Sequence, residues 1–152
     1  MPEVISVNIS EKRGTQKHEV PEIRLVANYG ISGDAHAGDW HRQVSLLADE
    51  SIDQMRKDHV SGLVSGAFAE NMITRGIDIK NLPLKTRLRI GAALLEITQI
   101  GKECHNDCEI RRAAGRCVMP TDGVFARVLE GGLVKPGDSI TIEQETAGGI
   151  TQ

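Results

Sequence analysis

Short apolar runs punctuated by glycine constrain this chain more than any other feature. Val4–Ile9, Ile23–Ala27, Val44–Leu47, Arg87–Ile90, Ala93–Ile100 and Ser139–Glu143 are rich in Val, Ile and Leu, and none exceeds eight residues. Branched side chains at such lengths suit strands rather than helices. Gly91 splits the two central runs, and Pro136-Gly137-Asp138 carries the signature of a type II turn. Val64–Ile73 also reads as extended, and Val124–Leu129 is β-prone with helix as the alternative. Helical patterning is confined to two stretches. One runs from Ser51 to Lys57, with Asp49 as cap and Ile52, Met55 and His59 on one face. The other runs from Glu109 to Ala114, capped by Asn106 or Asp107 and stopped by Gly115. The expectation is a mainly β fold with a few short helices, barrel-like rather than doubly wound.

With 152 residues, the chain is the size of one domain and can bury a core without disulfide or metal. Residues 1–145 are expected to form that domain, and the polar, glycine-rich stretch 146–152 a flexible tail. A net charge of −3 offers no basic excess for a nucleic-acid backbone, and 3% aromatic content offers no stacking platform for bases. No run approaches the apolar length of a membrane span, and the N-terminus lacks the pattern of a signal peptide. A cytoplasmic protein is expected. Its three cysteines are then free, catalytic or metal-bound rather than paired.

Three constellations can carry chemistry. All three cysteines fall in one short segment, Lys102-Glu103-Cys104-His105-Asn106-Asp107-Cys108 followed by Arg116-Cys117-Val118-Met119. Nearby cations (Lys102, Arg111, Arg112, Arg116) and a following helix N-terminus favour a thiolate, the reactive form. The plainer reading is three small buried hydrophobes, and Cys117, beside Val118 and Met119, fits it best. Cys104, His105, Cys108 and Cys117 also make a zinc set in number, although the spacing is unlike that of a zinc ribbon. The second constellation is the glycine-rich loop from Tyr29 to Trp40, continuing to Arg42. Asp34 and His36 lie two apart, so Asp34 can hold the imidazole in one tautomer, or both can reach a ligand. Arg42 can contact an anion. The loop can equally be held by its own turns. The third is the basic turn Lys12-Arg13-Gly14-Thr15 with Lys17, either a phosphate cradle or a solvated charged turn.

In order along the chain, Gly33-Asp34-Ala35-His36-Ala37-Gly38, Arg42-Gln43-Val44-Ser45-Leu46-Leu47, Glu70-Asn71, the cysteine segment and Gly137-Asp138 resemble the MOSC domain. That domain is similar to the C-terminal domain of molybdenum cofactor sulfurases, and the resemblance spans Val4 to Glu143. It implies a strand-rich, barrel-like fold. It also implies a cysteine that carries persulfide sulfur or ligates molybdenum of the pterin cofactor, molybdopterin. Cys104 matches that position best, as catalytic residue and as metal ligand, with Cys108 as the alternative. By the same resemblance Lys12, Arg13, Lys17 and Arg42 are expected to hold the pterin phosphate, and Asp34, His36 and Asn71 to belong to the cofactor site. The implied activity is sulfur transfer like that of a molybdenum cofactor sulfurase, or a molybdenum-dependent oxidoreduction. A non-catalytic cofactor carrier and a zinc-stabilised β module remain as alternatives. A separate pyridoxal-phosphate-dependent cysteine desulfurase, or a molybdoenzyme, is the implied partner.

Overall fold

A computed structural model describes residues 2–13, 15–58, 63–101 and 119–143. Eleven strands occur among them, which makes the fold mainly β as expected. They are β1 (Glu3–Ile9), β2 (His18–Val20), β3 (Ile23–Val26), β4 (Gly30–Ile31), β5 (Val44–Ala48), β6 (Met72–Arg75), β7 (Arg87–Ile90), β8 (Ala93–Ile100), β9 (Val124–Glu130), β10 (Gly132–Val134) and β11 (Ile140–Glu143). Helix α1 spans Asp49–Lys57, a single 3-10 turn spans Ile79–Asn81, and a short helix α2 spans Met119–Asp122.

Eight strands form one sheet in the order β11-β7-β8-β9-β5-β6-β1-β2, and three form a second in the order β10-β3-β4. Every pairing is antiparallel except that of β5 with β6. A parallel pair needs a crossover, and α1 lies on it. Strand β5 is buried at all five positions because each of its faces serves a different core. Val44, Leu46 and Ala48 join Val4, Val7, Leu88, Leu95, Ile97 and Val128 in the larger cluster. Leu47 turns the other way, onto Ile52 and Met55 of α1, Phe68, Met119 and Phe125.

The expected barrel does not close. Just before β11, Ser139 meets Glu3 of β1 through a single bridge, with flanking bonds from Val4 N to Asp138 O (2.9 Å) and Ile140 N to Pro2 O (3.1 Å). The reason is occupancy. Strand β2 takes β1 from Val7 to Ile9, which leaves β11 only the first residues of β1. The turn at Pro136-Gly137 forms as predicted, with Gly137 at φ 92°, the sign a type II turn requires at its third position.

Two local readings need correction. Asp49 is the first helical residue rather than the cap. The cap position is Ala48, and the Asp49 carboxylate is taken by Arg75 (2.6 and 3.0 Å) and Arg56 (3.1 Å). In the stretch 64–73 only Met72 and Ile73 are strand. Before them the chain folds into turns because the Glu70 carboxylate reaches back to the N–H groups of Gly66 and Phe68. The second expected helix, His59 and the tail 146–152 lie outside the described residues.

Candidate functional site

The loop between β4 and β5 builds a cleft of about 220 Å³ lined by Arg13, His36, Trp40, Arg42 and Phe125. Trp40 is its organising ring. Its indole N–H donates to His36 O (2.7 Å), and its plane lies 8° from that of the His36 ring, with centroids 6.4 Å apart. The guanidinium of Arg13 stands 4.7 Å from the Trp40 centroid and that of Arg42 4.9 Å. Arg42 also stands 5.6 Å from the Phe125 ring. Aromatic faces hold both cations in place while leaving N–H groups for a ligand. Among the described residues Arg42 Nε is buried and has no hydrogen-bond partner.

Gln43 pins this loop to the sheet. Its amide nitrogen donates to Gly38 O (3.0 Å) and its oxygen accepts from Val128 N (2.9 Å). Next to it, His41 Nε2 meets Gln99 Oε1 (2.8 Å), and Gln99 Nε2 donates to Gly101 O (2.8 Å). Gly101 N donates to Gly123 O (2.7 Å), and Gln99 opposes Phe125 across β8 and β9. The strand ends that bracket segment 102–118 are therefore fastened beside the cleft.

Beneath the loop lies a buried ion pair. Lys17 and Asp34 have fully buried side chains, 2.7 Å apart. Lys17 Nζ also donates to Ser10 Oγ (3.1 Å) and meets His36 Nδ1 (3.0 Å). Asp34 accepts from Ser10 N (3.0 Å) and His36 N (3.1 Å). Such a pair is neutral to fold stability when complete and costly when halved. Close by, Glu70 is wholly buried. Burial pushes its carboxyl up to about 7, against the downward pull of the Gly66 and Phe68 N–H groups and Lys17.

Of the residues picked from sequence, Arg13, His36 and Arg42 come together in the cleft. Asp34 lies behind His36. Lys17 does not point outward from the basic turn, because its ammonium is spent inside on Asp34, Ser10 and His36. Lys12 is exposed on that turn. Asn71 is wholly buried away from the cleft. Its oxygen accepts from Ser45 N (2.9 Å) and its nitrogen donates to Asn8 O (3.0 Å), which ties β5 to β1. Cys104, Cys108, Cys117 and the zinc set lie outside the described residues.

Sequence reasoning missed Trp40 and Phe125 as walls. Trp40 had a signal, as the single tryptophan of the chain, set between His36 and Arg42. Phe125 had none, since it arrives from a distant strand. A larger cleft of about 350 Å³ lies elsewhere, lined by Ala48, Glu50, Gly76, Ile77, Asp78 and Lys80, and holds none of the candidate residues. No group of three or more His, Cys, Asp or Glu placed to hold a metal occurs among the described residues. No described helix is long and apolar enough to cross a membrane.

The fold has solved counterparts. The structure of YiiM from Geobacillus stearothermophilus superposes with a TM-score of 0.74 at 18% identity, covering 97% of this chain and 78% of that one. The YUAD protein from Bacillus subtilis gives 0.74 at 18% identity over 92% of this chain and 94% of that one. YiiM from Escherichia coli gives 0.65 at 19% identity over 94% and 71%. No curated protein sequence matches the chain. The model of the MOSC domain matches residues 33–141, which carry the cleft loop, the buried braces of Glu70 and Asn71, and the cysteine segment. This chain belongs to the MOSC domain family.

Proposed function

We propose that this MOSC domain handles molybdenum cofactor or its sulfur through one cysteine, Cys104 first and Cys108 as the alternative. The observation that carries the reading is the cleft. It offers two guanidinium groups, one with a buried N–H that has no partner among the described residues, beside the end of β8 that leads into the cysteine segment and the start of β9 that follows it. Residues of this kind fit the phosphate end of a pterin cofactor, since guanidinium groups bind phosphate oxygens in pairs. Arg13 and Arg42 would hold that end, with His36 and Trp40 beside them. When bound, the cofactor supplies redox chemistry at molybdenum. A thiolate suits that soft metal and equally suits sulfane sulfur.

If sulfur is carried, the cysteine thiolate attacks the terminal sulfur of a persulfide on a cysteine desulfurase. A new S–S bond forms on this chain, the old one breaks, and the desulfurase thiolate leaves. The test is intact mass after incubation with a desulfurase and cysteine. One added sulfur atom that is lost in Cys104→Ser and kept in Cys108→Ser supports the assignment. The reverse pattern moves the site to Cys108. The proposal is refuted if the protein takes up no sulfur and also carries no molybdenum after cofactor-replete expression. Turnover of N-hydroxylated compounds by loaded protein separates an oxidoreductase from a carrier.

A further inference from the structure

We propose that the buried Lys17–Asp34 pair is a positioning device that holds His36 as its Nε2–H tautomer, so that Arg13, His36 and Arg42 all present N–H donors to the ligand and the cleft selects an anion. The inference rests on the reading of the Arg13–Arg42 cleft as an anion site, and it concerns the side chains behind that cleft.

Hydrogen-bond valence sets the tautomer of His36. A lysine ammonium has three protons and cannot accept. Among the described residues Lys17 Nζ faces three acceptors at bonding distance, Asp34 Oδ1 at 2.7 Å, His36 Nδ1 at 3.0 Å and Ser10 Oγ at 3.1 Å. Ser10 is consistent in sense, because its own hydroxyl proton goes to Lys12 O at 3.1 Å. His36 Nδ1 must therefore present a lone pair, which places the ring proton on Nε2. Asp34 does not compete for Nδ1. Its second oxygen is 3.9 Å from that atom and accepts the His36 backbone N–H instead.

Insertion of the lysine reverses the usual result of an Asp–His contact. A carboxylate bonded directly to Nδ1 would put the ring proton there and leave Nε2 a lone pair, which repels an anion. With an ammonium between them, Nε2 becomes a donor. Among the described residues the charged groups around the ring are Lys17 and Asp34 behind it and Arg13 and Arg42 across Trp40. The ring thus presents Nε2–H toward the cleft. The ligand chemistry selected is a phosphate or carboxylate group, with the aromatic walls of Trp40 and Phe125 alongside.

The test uses the whole protein with 15N-labelled histidine. In wild type, His36 should show a proton-bearing Nε2 and an unprotonated Nδ1. The double variant Lys17→Met with Asp34→Asn removes both buried charges together, so no lone charge is stranded. It should lose the single tautomer. Its affinity for inorganic phosphate, followed by titration, should fall about ten- to a hundredfold, the worth of one charge-assisted hydrogen bond. Benzoate run in parallel separates a preference for phosphate from one for carboxylate. A proton on Nδ1 in wild type that still binds phosphate overturns the positioning role and leaves the anion cleft standing. The Nε2–H tautomer in a wild type that binds neither probe overturns the anion cleft itself. A folded double variant that keeps both tautomer and affinity also overturns the proposal. The wild-type measurement decides alone if the variant does not fold.

Discussion

Replacing Glu70 by glutamine is expected to remove a pH dependence that wild type carries. Glu70 is wholly buried, and its folded pKa of about 7 lies above the ordinary 4.5. A carboxyl raised in this way binds its proton more tightly folded than unfolded. Its stabilising contribution is complete below the unfolded pKa and is lost as pH rises through the folded one. For this shift the loss between pH 5 and pH 8 comes to about 2 to 3 kcal/mol. The glutamine side chain cannot ionise, so it contributes no such slope. It has a cost of its own, because one amide oxygen cannot satisfy both Gly66 N (2.6 Å) and Phe68 N (3.0 Å). That cost is about 1 to 3 kcal/mol and does not depend on pH. Urea unfolding of wild type and Glu70→Gln from pH 5 to pH 8 gives the difference directly. The advantage of wild type should shrink by about 2 to 3 kcal/mol as pH rises. A difference that stays constant, or grows with pH, would refute the reasoning.

Other perturbations separate the frame from the site. Gly66→Ala should cost about 3 kcal/mol or more, because Gly66 sits at φ 88° and a Cβ would lie 2.2 Å from Lys17 O; a melting temperature close to wild type would contradict the packing. Leu95→Ala, at a fully buried site of the larger core, should cost about 2 to 5 kcal/mol, read from the urea midpoint at unchanged slope. Asp34→Ala should cost about 3 to 5 kcal/mol by stranding the Lys17 ammonium. A folded Asp34→Ala with wild-type melting and weakened phosphate binding would instead favour Asp34 as a ligand contact.

Much of the frame was legible from local pattern. The runs at Val4–Ile9, Val44–Leu47, Arg87–Ile90 and Ala93–Ile100 became strands because each is a short run rich in apolar and β-branched residues, and Gly91 and Gly101 stop the last two. The ordered motifs from Gly33 to Asp138 were enough to name the family. Of the site, the loop residues His36 and Arg42 were readable because chemistry-bearing types crowd among glycines there.

Direction and partner were decided only by the tertiary structure. Lys17 reads as one more cation of a basic turn, yet it points inward, because β2 carries it under the 30–42 loop, where Asp34 and His36 wait. Glu70-Asn71 reads as a polar pair, yet both are wholly buried as braces, one folding turn 66–68 and the other joining β5 to β1. Phe125 joins the cleft only because β9 lies between β5 and β8. The open edge between β1 and β11 depends likewise on β2 occupying β1 first. Hydrophobic period and turn chemistry act over a few residues, so the sequence by itself determined the longer strands, helix α1 and the family. Burial of charge, tautomer and sheet closure depend on residues tens of positions apart, so only the folded chain decided them.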